Sequence, residues 1–254
     1  MLNESDSSIG IIPRKDDLLI YSKYDQETGD IYIKPAFDNY FVMPGDIELV
    51  RSFSGPFSIP NSAYRTTSGT ILGSHTLVQH FSIRSFTLGV FLRVPGTGIN
   101  AIYSDNHAME LFGLFMKHRF SVVANDLDVE FHLHDASATT KVEAMRTVAN
   151  FTFSNVLKAN DWQFLALVYD DRDQTLKLFD ETANLVQEEA NVDIDQVSTR
   201  HLYIGAGFYN GVEVNFAPSS AIACLSLHTV ALSQMEIALL PCACQFKDKL
   251  QTRF

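Results

Sequence analysis

Trp162-Gln163-Phe164-Leu165-Ala166-Leu167-Val168-Tyr169, then Asp170-Asp171-Arg172-Asp173-Gln174, then Thr175-Leu176-Lys177-Leu178-Phe179, is an apolar run, an acidic turn and a second apolar run. Two runs rich in β-forming residues, joined by five turn-prone polar ones, read as an antiparallel hairpin. The pattern extends outward in both directions. Ser85-Phe86-Thr87-Leu88-Gly89-Val90-Phe91-Leu92-Arg93-Val94 is closed by Pro95-Gly96-Thr97-Gly98. Phe86, Leu88, Val90 and Leu92 share one face at a period of two, with Phe91 and Val94 on the other, as a central strand covered on both sides requires. Strands are also expected at 30–34, 40–43, 47–51, 201–204 and 221–227, with a Gly/Pro/Ser-rich loop over 52–62.

A second hairpin is expected from 119–124 and 127–134 around Asn125-Asp126. In its second arm Leu127, Val129, Phe131 and Leu133 point inward, while Asp128, Glu130, His132 and His134 point to water. Ser233-Gln234-Met235-Glu236 is a capping box, so one short helix is expected near 233–240, stopping at Pro241. These elements make an all-β, antiparallel jelly-roll β-sandwich. Residues 1–17 are a polar, flexible lead-in, 18–241 a single domain and 242–254 a C-terminal tail.

Composition excludes several classes. The 254 residues are 46% hydrophobic and 19% charged, enough apolar material for one large core and too little charge for a disordered chain. No apolar run approaches the roughly 20 residues of a membrane-spanning helix, so no membrane insertion is expected. The net charge is −11, and no Lys/Arg cluster exists to neutralise phosphates. Nucleic acid is therefore excluded as a partner, and cations, neutral sugars or proteins suit the acidic surface better. Met1–Ser8 lacks the basic start and apolar stretch of a secretory signal. The chain reads either as cytosolic or as a fragment of a larger protein.

The order of four pieces resembles the laminin-G-like and pentraxin-like branch of the concanavalin A-like lectin/glucanase sandwich superfamily. Phe37-Asp38-Asn39-Tyr40-Phe41-Val42 is similar to an early strand of that group, and Ser85-Phe86-Thr87-Leu88 to its "sFTl" strand. Trp162–Phe179 resembles its paired strands, with the tryptophan anchoring one sheet. Leu202-Tyr203-Ile204-Gly205 and Ala221–Ile237 resemble its closing strands and helix. The resemblance spans roughly residues 31–240. It implies an extracellular or cell-surface recognition domain, part of a larger secreted or membrane protein, that binds a carbohydrate or an extracellular protein partner through rim loops. Pentraxin-like domains often form rings, so the resemblance leaves an oligomer open, while the residues themselves do not give the oligomeric state.

The cysteines cluster late, as Cys224 and Cys242-Ala243-Cys244, without the spacing of a zinc site. One disulfide between the last strands and the tail, with one thiol left over, is the reading of the residues themselves. The resemblance implies a bridge from Cys224 to the chain end, taken as Cys242. Asn150-Phe151-Thr152 is a glycosylation sequon, with Asn150 as acceptor.

Asp105-Asn106 falls where pentraxins carry a calcium-binding Asp-Asn pair, and calcium is the one cofactor the resemblance implies. Calcium takes six to eight oxygens, and the chain departs from the pentraxin pattern after Gly205, where Ala206-Gly207-Phe208-Tyr209-Asn210 supplies no carboxylate. Phe208, Tyr209 and Asn210 are the candidate ligand contacts, within a rim segment 205–220 that also holds Phe216; loop 52–75 is the second candidate surface. Asp126-Leu127-Asp128-Val129-Glu130 mimics the alternating acids of sandwich-fold glycoside hydrolases. With Asp126 belonging to a turn and the alternation explained by a wet face, no catalytic residue is assigned. His132 and His134, at i and i+2, have a spacing that can serve a metal, but nothing nearby completes a shell.

Overall fold

The computed structural model describes residues 13–14, 17–24, 31–33, 47–49, 56, 63–66, 73–95, 98–105, 112–118, 126–134, 147–194, 197–209, 212–215 and 220–245. Seventeen strands and two short helices lie among them. One sheet carries nine strands. Its path runs from β13 (Leu185–Ala190) through β12 (Thr175–Phe179), β11 (Gln163–Asp170), β6 (Phe86–Arg93), β17 (Ala221–His228) and β1 (Leu18–Tyr24) to β2 (Ile31–Ile33). The strands β3 (Ile47–Leu49) and β4 (Tyr64–Thr66) branch from β17. A second sheet carries six strands, in the order β10 (Thr147–Lys158), β9 (Asp126–His134), β8 (Phe112–His118), β7 (Ile99–Asp105), β14 (Val197–Ile204) and β5 (Gly73–Ile83). A separate hairpin pairs β15 (Ala206–Tyr209) with β16 (Val212–Asn215). Every ladder is antiparallel, and the expected jelly-roll β-sandwich is the fold found.

The core between the sheets is built from period-two faces. Phe86, Leu88, Val90 and Leu92 of β6 meet Leu127, Val129 and Phe131 of β9, with Leu165, Leu167 and Tyr169 of β11 alongside. Phe86 lies 6.0 Å, ring to ring, from both Phe131 and Tyr169. The buried Tyr169 hydroxyl donates to Val192 O at 3.0 Å and accepts from Ile194 N at 3.3 Å, so a polar tip ties down the segment after β13. Val94, expected on the face of Phe91, turns into this inner core instead.

A second core coats the outer face of the nine-stranded sheet, where Phe91, Phe164, Ala166 and Val168 pack against Leu232, Ile237 and Leu240. The helices α1 (Gln234–Ile237) and α2 (Leu239–Gln245) bring the last two of these. Gly89 makes room for them: a Cβ there would stand 2.9 Å from Leu240 Cδ1 and 3.0 Å from Ser226 Oγ. The capping box forms, with Ser233 Oγ accepting from Glu236 N and Glu236 Oε2 accepting from Ser233 N at 2.8 Å. Those bonds, chiefly from the Ser233 backbone, hold the Glu236 carboxyl down at about 2.

Four expectations need correction here. Pro241 does not end the helix, because it sits in the first turn of α2, where a missing N–H costs nothing. The partner arm of β9 is Phe112–His118, while 119–124 lies outside the described residues. Part of the lead-in is docked: Pro13 O accepts from the buried His228 ring, Asp17 O from Thr229 N, and Arg14 pairs with Glu236 at 2.8 Å. Cys224 is disulfide-bonded, but Cys242 keeps a free, exposed thiol, so the bridge is not Cys224–Cys242. A register break between Ala223 and Ser226 turns Cys224 to the outer face, where the C-terminal helices lie.

Candidate functional site

Two acidic regions of the sandwich are candidates, and the structure treats them differently. The first is the outer face of the six-stranded sheet. Asp128, Glu130 and His132 do project there, opposite to Leu127, Val129 and Phe131, but the face is not wet. Their exposures are 8%, 4% and 1%. Part of the cover is the hairpin β15–β16, which lies against β7 and β8, shares a small core of Ala101, Tyr209, Ile99 and Val214 with β7, and brings Tyr209 against His132. The chain enters it at Gly205, whose N–H donates to Ile102 O at 2.9 Å and whose φ of +78° suits glycine.

Beneath the cover the polar groups satisfy one another. His132 Nε2–H donates to Glu130 Oε2 at 3.0 Å, a buried pair. Tyr209 places its ring 4.9 Å from that of His132. Asp128 Oδ1 accepts from Asn155 N at 2.9 Å, an amide aimed by the irregularity in β10 between Phe153 and Leu157. Asn150 and Thr152 stand directly opposite His132 and Glu130, and Asn150 is exposed. The carboxylates Asp128 and Glu130 therefore work as internal hydrogen-bond acceptors, and the expectation of a wet face is overturned. Tyr209, expected as a rim contact, is the underside of the cover.

The other sequence candidates are placed as follows. Asp126 and His134 are the first and last residues of β9, Asp105 is the last residue of β7, and Phe208 lies in β15. Asn106, Asn210 and Phe216 lie outside the described residues. Among the described residues no group of three His, Cys, Asp or Glu side chains is arranged to hold a metal.

The second region is a cleft of about 510 Å³ at one end of the sandwich. Pairing of β11 with β12 sets Trp162 and Gln163 beside the turn after β12, and the end of β10 adds Val156, Leu157 and Lys158. The turn is built on Asp180, whose Oδ1 accepts from Thr182 N and Asn184 N, each at 2.9 Å, and from Thr182 Oγ1 at 2.7 Å. Burial pushes the Asp180 carboxyl up, but these bonds outweigh it and hold the group below the ordinary carboxylate value.

Trp162 is half-buried, packing against the outer core of the nine-stranded sheet while lining the cleft. Gln163 gives its Oε1 to Lys158 N, which leaves its Nε2 as a donor. Asp161 and Glu181 are exposed, and neither carboxylate has an ion pair or hydrogen bond among the described residues. An aromatic wall, a free amide and free carboxylates around a volume of this size suit a small polar ligand. Sequence reasoning took Trp162 only as an anchor. The hairpin pattern implies that 161–163 and 180–182 share an end, but not that the end stays open.

No protein-family model matches the sequence, and no curated protein matches it. Solved structures do match in shape. The ligand-binding domain of botulinum neurotoxin serotype D, in complex with N-acetylneuraminic acid, superposes with a TM-score of 0.62 at 12% identity over 89% of this chain. The type G receptor-binding domain gives 0.60 at 11% over 87%, and the C/D mosaic receptor-binding domain 0.60 at 12% over 89%. The likeness is one of fold. This chain spans 50%, 50% and 51% of those three chains, about half the length of each. Among the described residues no helix is long and apolar enough to cross a membrane.

Proposed function

We propose that the chain is an extracellular recognition domain of the laminin-G-like and pentraxin-like kind, and that it binds a glycan in the end cleft around Trp162. One observation carries the reading. The cleft is an open concavity among the described residues that combines an aromatic wall with polar side chains having unused hydrogen-bonding capacity. A sugar ring presents an apolar C–H face and a rim of hydroxyls. Trp162 offers the apolar contact, while Asp161 and Glu181 accept and Gln163 Nε2 donates at the rim. The disulfide at Cys224 supports an oxidising compartment. Fold neighbours titled as receptor-binding domains support recognition rather than catalysis.

Burial of Asp128 and Glu130 counts against the glycosidase alternative through Asp126, Asp128 and Glu130. Glu130 is 4% exposed and paired to His132, whose ring lies 4.9 Å from that of Tyr209. Trp162 is the single tryptophan of the chain, so its fluorescence reports directly on the cleft. Titration with a panel of oligosaccharides is expected to change the emission saturably, and Trp162→Ala to weaken calorimetric binding by about tenfold or more. A panel that leaves the emission unchanged and releases no heat would sink the reading.

A further inference from the structure

The charges around the cleft say which glycans it takes. Three carboxylates, Asp161, Asp180 and Glu181, line it against one ammonium, Lys158. Asp180 is committed to its own turn, yet its negative charge stays beside the cleft. Asp161 and Glu181 have no ion pair or hydrogen bond among the described residues, so the single ammonium of Lys158 offsets only part of the field of the three carboxylates. A ligand carboxylate or sulfate entering here meets like charge, whereas an ammonium gains from the carboxylates and from the face of Trp162.

On the glycan reading above, we propose that this cleft selects sugars without anionic groups, prefers those with a free amine, and rejects sialylated and sulfated ones. Hydroxyl recognition works for neutral sugars because carboxylates accept from hydroxyl donors, and Gln163 Nε2 supplies a donor for a ring or glycosidic oxygen. Adding one negative group to a ligand that otherwise fits costs it the net field of three carboxylates against one ammonium. The cleft would thus differ in ligand charge from the serotype D domain, whose structure holds the anionic sugar N-acetylneuraminic acid.

The test uses matched pairs on the intact chain: lactose against 3′-sialyllactose, and N,N′-diacetylchitobiose against its deacetylated diamine, by calorimetry and Trp162 fluorescence at low salt. The expected result is sialyllactose weaker than lactose by about tenfold, and the diamine tighter than its acetylated form by a similar factor, both differences shrinking as salt rises. The double variant Asp161→Asn/Glu181→Gln should keep its melting temperature and lose most of both differences, read as the affinity ratio within each matched pair, since both residues also accept from sugar hydroxyls and their loss weakens lactose and sialyllactose alike.

Sialyllactose binding as tightly as lactose, with Trp162 responding, overturns the charge selection and leaves the glycan reading in place. Selection that survives in the double variant also overturns it, because the carboxylates are then not its cause. No sugar binding at all overturns both. Binding unaffected by Trp162→Ala removes the cleft as the site.

Discussion

The covered face of the six-stranded sheet and the open end cleft carry the same kinds of residue in opposite states. Glu130 is 4% exposed and bonded to His132, whereas Glu181 stands exposed with no partner among the described residues. On the covered face, carboxylates hold the structure together, because a buried acceptor must find a donor. In the cleft they remain available to a ligand, because water satisfies them until it is displaced. The lesson is that an acidic cluster becomes a structural element or a recognition surface according to what lies over it.

The largest effect expected from breaking this contrast is on the covered face. Glu130→Ala leaves His132 without its buried partner and should cost about 3–5 kcal/mol in urea-induced unfolding. If Glu130→Ala unfolds at the parental midpoint, the pair is not a buried staple.

Acid should reveal a second buried imidazole. His228 is fully enclosed; its Nε2–H donates to Pro13 O, and its buried Nδ1 has no partner among the described residues. Burial pushes it down to about 4 from an ordinary 6.5. The unfolded chain therefore binds a proton at a pH where the folded one does not. Stability from this group is complete above about 6.5 and is lost as pH falls toward 4, by about 3 kcal/mol. Chemical denaturation across that window should show the slope, and His228→Gln should flatten it. A slope unchanged in the variant would assign the acid sensitivity elsewhere.

The smallest effect belongs to the cleft. Asp161→Asn and Glu181→Gln should each change stability by no more than about 0.5 kcal/mol, as exposed carboxylates without partners do. A loss near that of Glu130→Ala would mean that the two regions are not in opposite states.

Legibility followed how local each signal was. The hairpin of β11 and β12, the alternation in β6 and the capping box at Ser233 depend on residues within one or two turns of chain, and all three form as read. The strand β10 alternates only from Ala149 to Ser154, because its irregularity near Asn155 interrupts the period while serving Asp128. The hairpin β15–β16 looked like a rim loop for a related reason. Among the described residues its short strands, four residues each, pair only with one another, and the cover they make depends on β7 and β8 about a hundred residues earlier.

By itself, the sequence determined an antiparallel sandwich, the inward face of each strong strand, and a net negative charge. A period-two pattern records which side of a strand meets the partner sheet, and composition sets net charge without reference to folding. Only the tertiary structure decided that Asp128, Glu130 and His132 are enclosed, that Tyr209 packs on His132, and that Asp161, Trp162 and Glu181 stand around an open cleft. Alternation reports polarity on the outward side of a strand, and that outward side is wet or dry according to distant segments laid across it.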